Sequence, residues 1–128
     1  MTIRNCKDVC PIPDKETLLA HPVVGMDWEG FVIENLLANL PQGVQAYFYR
    51  SSGGAEIDLL LAWPEGTLWA LEIKRSLTPK VERGLHAACA DLAPQRRCVI
   101  YPGIESYRIA ADIEALPLAT LADDLRRA

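Results

Sequence analysis

Asp58, Glu72 and Lys74 lie within the single stretch Ala55–Ser76 and could together do hydrolytic chemistry. Two carboxylates set side by side repel each other, so they need a cation, a shared proton or open water. Hard divalent ions such as Mg²⁺ or Mn²⁺ bind through one or two carboxylates, and waters and substrate phosphate oxygens complete the shell. A lysine beside such an ion can orient or activate a water. The trio therefore reads as a metal-assisted hydrolytic site. The competing reading is a polar face on an edge hairpin, with Glu72 and Lys74 as an ordinary ion pair. Leu60, Ala62, Leu68 and Ala70 on the same face make it too apolar for a purely solvated one, yet spacing alone leaves both readings open.

The carboxylates meet only if the chain folds back between them. Glu56–Trp63 and Thr67–Lys74 are rich in Ile, Leu and Trp and flank the breaker Pro64-Glu65-Gly66, the pattern of a hairpin with a short glycine-containing loop. Alternation puts Ile57, Leu59, Leu61 and Trp63 on one face and Asp58, Leu60 and Ala62 on the other. On the second strand it separates Trp69, Leu71 and Ile73 from Leu68, Ala70, Glu72 and Lys74. A loop of Pro64–Gly66 pairs Leu61 with Trp69 and, further along, Asp58 with Glu72. Directly opposed residues have Cβ atoms about 4.5–5.5 Å apart. A longer loop would break that register.

Glu29 is the next candidate. Gly25–Leu40 has helical spacing and is closed by Pro41 and Gly43; Val32, Ile33, Leu36 and Leu40 cluster in one direction, and Glu29 points along the middle of that stripe. A carboxylate aimed into a core is costly unless it is paired, ligates a cation or reaches water at a rim. Glu34 falls at the stripe's edge and reads as surface.

Val44–Arg50 reads as a strand with Tyr47 and Tyr49 on one face, in core or rim, and Phe48 and Arg50 on the other. Arg50 precedes the permissive turn Ser51-Ser52-Gly53-Gly54 and could contact a phosphate or make a surface salt bridge. Thr78–Ala93 is predicted as a helix with Pro79 in its first turn and Val81, Leu85, Ala88, Cys89 and Leu92 buried. Arg97–Tyr101 should be a buried strand parallel to Thr67–Lys74, because a helix connects them. Ser106–Ile109 suits an edge strand, and Pro117–Arg127 a closing amphipathic helix.

Length and composition bound the possibilities. A chain of 128 residues, 50% hydrophobic, suits one domain with a real core: an irregular lead-in over residues 1–20, then a single domain over 21–128. A net charge of −4 excludes a broad basic nucleic-acid surface but not a locally basic groove. Cys6, Cys10, Cys89 and Cys98 show no paired CxxC spacing. Cys89 and Cys98 suit a core; Cys6 and Cys10 lack the further ligands a metal would need. No signal segment or membrane-length apolar run is present, so free thiols in the cytoplasm are expected. There is no GxxxxGK[ST] motif, so the chain is not itself a nucleotide-driven motor.

The order helix–strand–hairpin–helix–strand, with Glu29, Asp58 and Glu72-Ile73-Lys74 on successive elements, resembles the PD-(D/E)XK nuclease superfamily. Gly25-Met26-Asp27-Trp28-Glu29 looks like that family's helix motif. From His21-Pro22 onward the chain is similar to the nuclease-like domain of unknown function at the C-terminal end of many bacterial and archaeal AAA-type ATPases. WEGFV, YFYRSSGGAEIDLLL, LEIKRSLTPK and ALPLATL carry that similarity. Ile57 stands where the superfamily often has proline. The resemblance implies an α/β, restriction-endonuclease-like αβββαβ core, a mixed sheet flanked by helices. It implies Mg²⁺ or Mn²⁺ held by Asp58, Glu72 and the Ile73 carbonyl, with Glu29 reaching the ion directly or through water and Lys74 positioning water on a phosphodiester of DNA. The ATPase half of those proteins is missing from this chain, so the resemblance leaves two expectations open, a remnant of a larger machine or a module that acts with a separate AAA-type ATPase partner. The rival reading is a docking or regulatory module that keeps the fold without catalysis, with Trp63 and Trp69 exposed to a partner.

Overall fold

The computed structural model describes residues 9–11, 28–51 and 53–128. Along them run β1 (Val9–Pro11), α1 (Trp28–Ala38), β2 (Gln45–Arg50), β3 (Glu56–Ala62), β4 (Leu68–Ile73), α2 (Arg83–Leu92), β5 (Arg96–Tyr101), β6 (Tyr107–Ala110), β7 (Ile113–Pro117) and α3 (Leu118–Arg127). The strands form one mixed sheet in the order β1-β2-β3-β4-β5-β7-β6. β1 to β4 pair antiparallel, β4, β5 and β7 run parallel, and β6 returns antiparallel on β7. The domain is thus α/β, and α1 to β5 follow the expected αβββαβ order.

Helices cover both faces, which is why the middle strands read as nearly unbroken apolar runs. On one face α1 and α3 bring Val32, Leu36, Leu121 and Leu125 onto Leu59, Leu61, Leu71, Cys98 and Ile100. On the other, α2 sets Leu85, Ala88 and Cys89 against Leu60, Leu68, Ala70 and Val99. Burial pushes the Cys89 thiol up and the Cys98 thiol up to about 12, so both behave as small core hydrophobes. Leu71 is fully buried, so Leu71→Ala is expected to cost about 3–4 kcal/mol in urea unfolding, as cavities in cores do. Leu77→Ala, at a side chain 68% exposed, should stay within about 0.5 kcal/mol.

Five local readings need correction. The lead-in, read as irregular, supplies β1, which pairs with β2; a helical turn near Lys15–Ala20, and the Cys6 side chain, lie outside the described residues. β7 was not foreseen: Ala115 and Pro117 are poor strand formers, and its order comes from parallel pairing with β5, a contact distant in sequence. The helix predicted from Thr78 begins only at Arg83. Pro79 is buried ahead of it and Glu82 is extended, with φ −92 and ψ 162. Ile57 lies in the α2-side core with Leu60, not with Leu59 and Leu61. Trp63 and Trp69 are half-buried against the α1-side core, their rings 4.5 Å apart, and the Arg96 guanidinium lies 4.7 Å over Trp69. They do not form an exposed aromatic surface.

Candidate functional site

The predicted hairpin register holds. Ala62 faces Leu68, Leu61 faces Trp69, Leu60 faces Ala70 and Leu59 faces Leu71. The loop is tight because Gly66 takes a φ of +104, open to glycine at little cost, and its N–H donates to the Trp63 carbonyl at 3.0 Å. Asp58 and Glu72 follow next along the strands, beyond the last regular pair.

There the two strands fork. The Ile73 N–H donates to Asp58 Oδ2 at 2.9 Å, so a side-chain carboxylate takes a donor that a strand carbonyl would otherwise accept. The cause lies on the other side of β3. Tyr47 pairs with Leu60 and Tyr49 with Ile57, so Phe48 alone faces both Asp58 and Leu59. Such a bulge re-aims side chains, turning Asp58 toward β4 and shifting Ile57 to the opposite face. β4 itself stays fastened at its far edge, where the Lys74 N–H donates to the Ile100 carbonyl at 2.9 Å.

Glu72 is buried, and Lys74 Nζ stands 3.5 Å from its Oε1. Lys74 Nζ also lies 2.7 Å from Glu82 Oε1, at the start of α2. Gly84 helps bring that helix end in close: a Cβ there would stand 2.9 Å from the Gly54 carbonyl oxygen. Glu72 Oε2 is buried without a hydrogen-bond partner among the described residues. Burial pushes the Glu72 carboxyl up to about 7, opposed by Lys74 and reinforced by Asp58. Burial likewise raises Asp58, against the lowering pull of the Ile73 N–H and of Lys74. Burial alone would lower Lys74, but its hydrogen bond to Glu82 and the charges of Glu72 and Glu82 hold it above its ordinary value. The pocket thus concentrates negative charge that one ammonium offsets only in part.

Asp58, Glu72, Ile73 and Lys74 are therefore together. Glu29 is placed differently from its predicted position. Val32, Ile33 and Leu36 form the buried stripe, but Glu29 sits in the first turn of α1 and is exposed, whereas Gly30 is buried. Side chains lean toward a helix's N-terminus, so a first-turn residue reaches past the packed face. The start of α1 is nonetheless tied to the site, because Trp28 Nε1 donates to the Lys74 carbonyl at 2.8 Å. Gly25, Met26 and Asp27 lie outside the described residues. Among the described residues no group of three or more His, Cys, Asp and Glu is placed to hold a metal ion. Arg50 is paired on the surface with Glu56 at 3.4 Å. Two residues of the site were missed. Trp28 is a backbone clamp that reads as helix packing in sequence, and Glu82 was hidden inside the overlong predicted helix.

These features define a mixed α/β domain with two carboxylates and an ammonium at a strand fork, and among the described residues no helix is long and apolar enough to cross a membrane. The chain belongs to the family described as a domain of unknown function, DUF4143, which matches residues 24–121. An uncharacterized protein of Mycobacterium bovis is 35% identical over 106 residues, 83% of this chain and 24% of that protein. An uncharacterized protein of Mycobacterium tuberculosis matches to the same extent. The chain thus spans about a quarter of the length of these curated relatives. No solved structure matches.

Proposed function

We propose that this domain is a metal-dependent phosphodiesterase module of the PD-(D/E)XK type that acts on DNA in the cytoplasm alongside an AAA-type ATPase. The observation that carries the reading is the fork, where Asp58 turns between the strands and Glu72 Oε2 is buried without a partner beside Lys74. An orphaned buried carboxylate oxygen is costly as it stands, and a cation would relieve it. The donor set is all oxygen and suits Mg²⁺ or Mn²⁺.

Asp58 and Glu72, with the Ile73 carbonyl, would hold the ion, and Glu29 would contribute from the start of α1 through water. When bound, the ion supplies Lewis-acid polarisation of the phosphodiester and a lowered pKa for water. Lys74 presents its ammonium to the attacking water and to the charge that develops on the phosphate oxygens. Trp28 fixes the Lys74 backbone, and Glu82 shares the Lys74 ammonium with Glu72.

The test is cleavage of plasmid and branched DNA with Mg²⁺ or Mn²⁺, with Asp58→Ala and Lys74→Ala as controls. Cleavage lost in both variants supports the reading. No cutting on any substrate, or cutting that survives both changes, overturns it. A second reading, a docking module without catalysis, is favoured by the lack of a three-ligand acidic group among the described residues. Calorimetry separates the two: Mn²⁺ binding lost in Glu72→Ala favours the enzyme, and no metal binding alongside a stable protein complex favours docking.

A further inference from the structure

α1 carries an aromatic side chain that its packing does not use. Phe31 is 52% exposed, although the helix buries Val32, Ile33 and Leu36 close by. Trp28 lies three residues earlier, where helix side chains are neighbours. The two rings stack with an interplanar angle of 27° and centroids 6.0 Å apart. Trp28 is held at two points: its ring packs on the α1-side core, and its Nε1 donates to the Lys74 carbonyl at 2.8 Å. Core, indole and phenyl thus form a stack with Phe31 at its solvent end, and the indole links that end to the fork. Side chains lean toward a helix's N-terminus, so Phe31 leans toward the end of α1 that meets Lys74.

The surroundings of that ring select what it can hold. The other large exposed hydrophobes among the described residues, Phe48, Leu77, Ile104 and Tyr107, lie outside α1. Phe31 is therefore a single ring among polar neighbours: Glu34 lies one turn on, and Asn35 donates from Nδ2 to the Phe31 carbonyl at 2.8 Å. Specific protein interfaces bury about 1,200–2,000 Å², far more than one ring offers. A flat ring with polar edges, such as a nucleobase, fits better. α1 carries Glu29 and Glu34 and no Lys or Arg, and the chain has a net charge of −4. A nucleic acid lying here is held by its bases, with its phosphates turned away from the helix. Duplex DNA hides the faces of its bases in the stack, whereas an unpaired strand offers them.

We infer that Phe31, backed by Trp28, is a stacking platform for an unpaired base of single-stranded DNA, so the substrate class of the fork is a strand with unpaired bases. The inference rests on the hydrolytic reading of the fork, which sets a phosphodiester at Lys74 and a neighbouring nucleotide of the same strand over Phe31. Base–aromatic stacking tolerates any sequence, because every base has a π-face. Trp28 is already fixed by the Lys74 carbonyl, so the platform loses little freedom when a base arrives.

The experiment is fluorescence anisotropy of the full chain with three labelled DNAs: a mixed-sequence single strand, the corresponding duplex and an abasic strand of the same length. EDTA is present, so neither metal nor cleavage enters. The single strand should bind more tightly than the other two. Phe31→Ala should weaken single-strand binding about tenfold or more, the scale of one lost base stack, and leave the duplex and abasic strands unmoved. Phe31→Tyr, which keeps the ring, should bind as wild type. Circular dichroism shows whether a loss reflects unfolding, and the wild-type comparison of the single strand with its abasic counterpart needs no variant. Equal binding of those two by wild type overturns the platform, as does a folded Phe31→Ala variant that binds the single strand like wild type. No binding of any of the three overturns it as well and leaves the ring to a protein contact. The hydrolytic reading fails separately. Phe31-dependent binding without Mg²⁺-dependent cleavage keeps the platform and removes catalysis from the fork, whereas cleavage of duplex and single strand alike, unchanged in Phe31→Ala, keeps the fork and removes the platform.

Discussion

Lys74→Met should reduce metal-dependent DNA cleavage at least about 100-fold while leaving Mn²⁺ binding in place, since lost transition-state electrostatics commonly costs that much. The reasoning rests on what the ammonium touches. Lys74 Nζ is 2.7 Å from Glu82 and 3.5 Å from Glu72, so Glu82 competes with the site for the same charge. Glu82→Gln should therefore free the ammonium and hold or raise the cleavage rate, the opposite of what Lys74→Met does. If Lys74 merely neutralised Glu72, its replacement would lower stability and spare cleavage. Single-turnover cleavage measured beside urea unfolding for the two variants separates these roles. Equal rates in Lys74→Met and wild type would remove Lys74 from the chemistry.

The second large effect concerns stability. Glu72 has its carboxyl pushed up to about 7 by burial, from an ordinary 4.5. Between those values the native state keeps a proton that the unfolded chain has released, so stability falls as pH rises through the window. Below pH 4.5 the contribution is fully present, and above about 7 it is gone. The raised Asp58 acts with the same sign. The Glu72 shift corresponds to about 3 kcal/mol at 1.4 kcal/mol per pH unit, and solvent at the rim should leave about 1–2 kcal/mol of it. Glu72→Gln, neutral and of the same shape, should make the metal-free protein that much more stable at pH 8 and flatten its profile from pH 5 to 8. Added Mg²⁺ should then stabilise the wild type at pH 8 and leave the variant unmoved. Parallel unfolding profiles for the two proteins, with and without EDTA, would show that Glu72 is not a strained anion.

How much of this was legible follows from where the information lies. The hairpin register could be read because a three-residue loop with Gly66 fixes it locally, and Leu59 to Leu71 confirms it. Tyr47 and Tyr49 were rightly placed together; Tyr49 is buried, and its hydroxyl donates to Asp91 at 3.1 Å. Long-range partners carried the rest. β7 exists because β5 is beside it, and the bulge at Asp58 exists because β2 runs one residue shorter there. Strict alternation therefore misplaced Ile57 and left no sign that Asp58 would turn into the gap between strands. The late start of α2 leaves Glu82 extended at the helix entry, where its side chain meets Lys74, a pairing between an exposed side chain and a strand end that helical periodicity cannot signal.

The position of that bulge keeps the register of β3 with β2 separate from its register with β4. The hairpin is dictated from its Pro64–Gly66 end, whereas the irregularity belongs to the seam with β2 at the opposite end of β3. A one-residue change on the β2 side is therefore expected to be taken up at that seam without slipping the partnership of β3 with β4. The acidic fork can be retuned one residue at a time, while the scaffold that carries it stays in step.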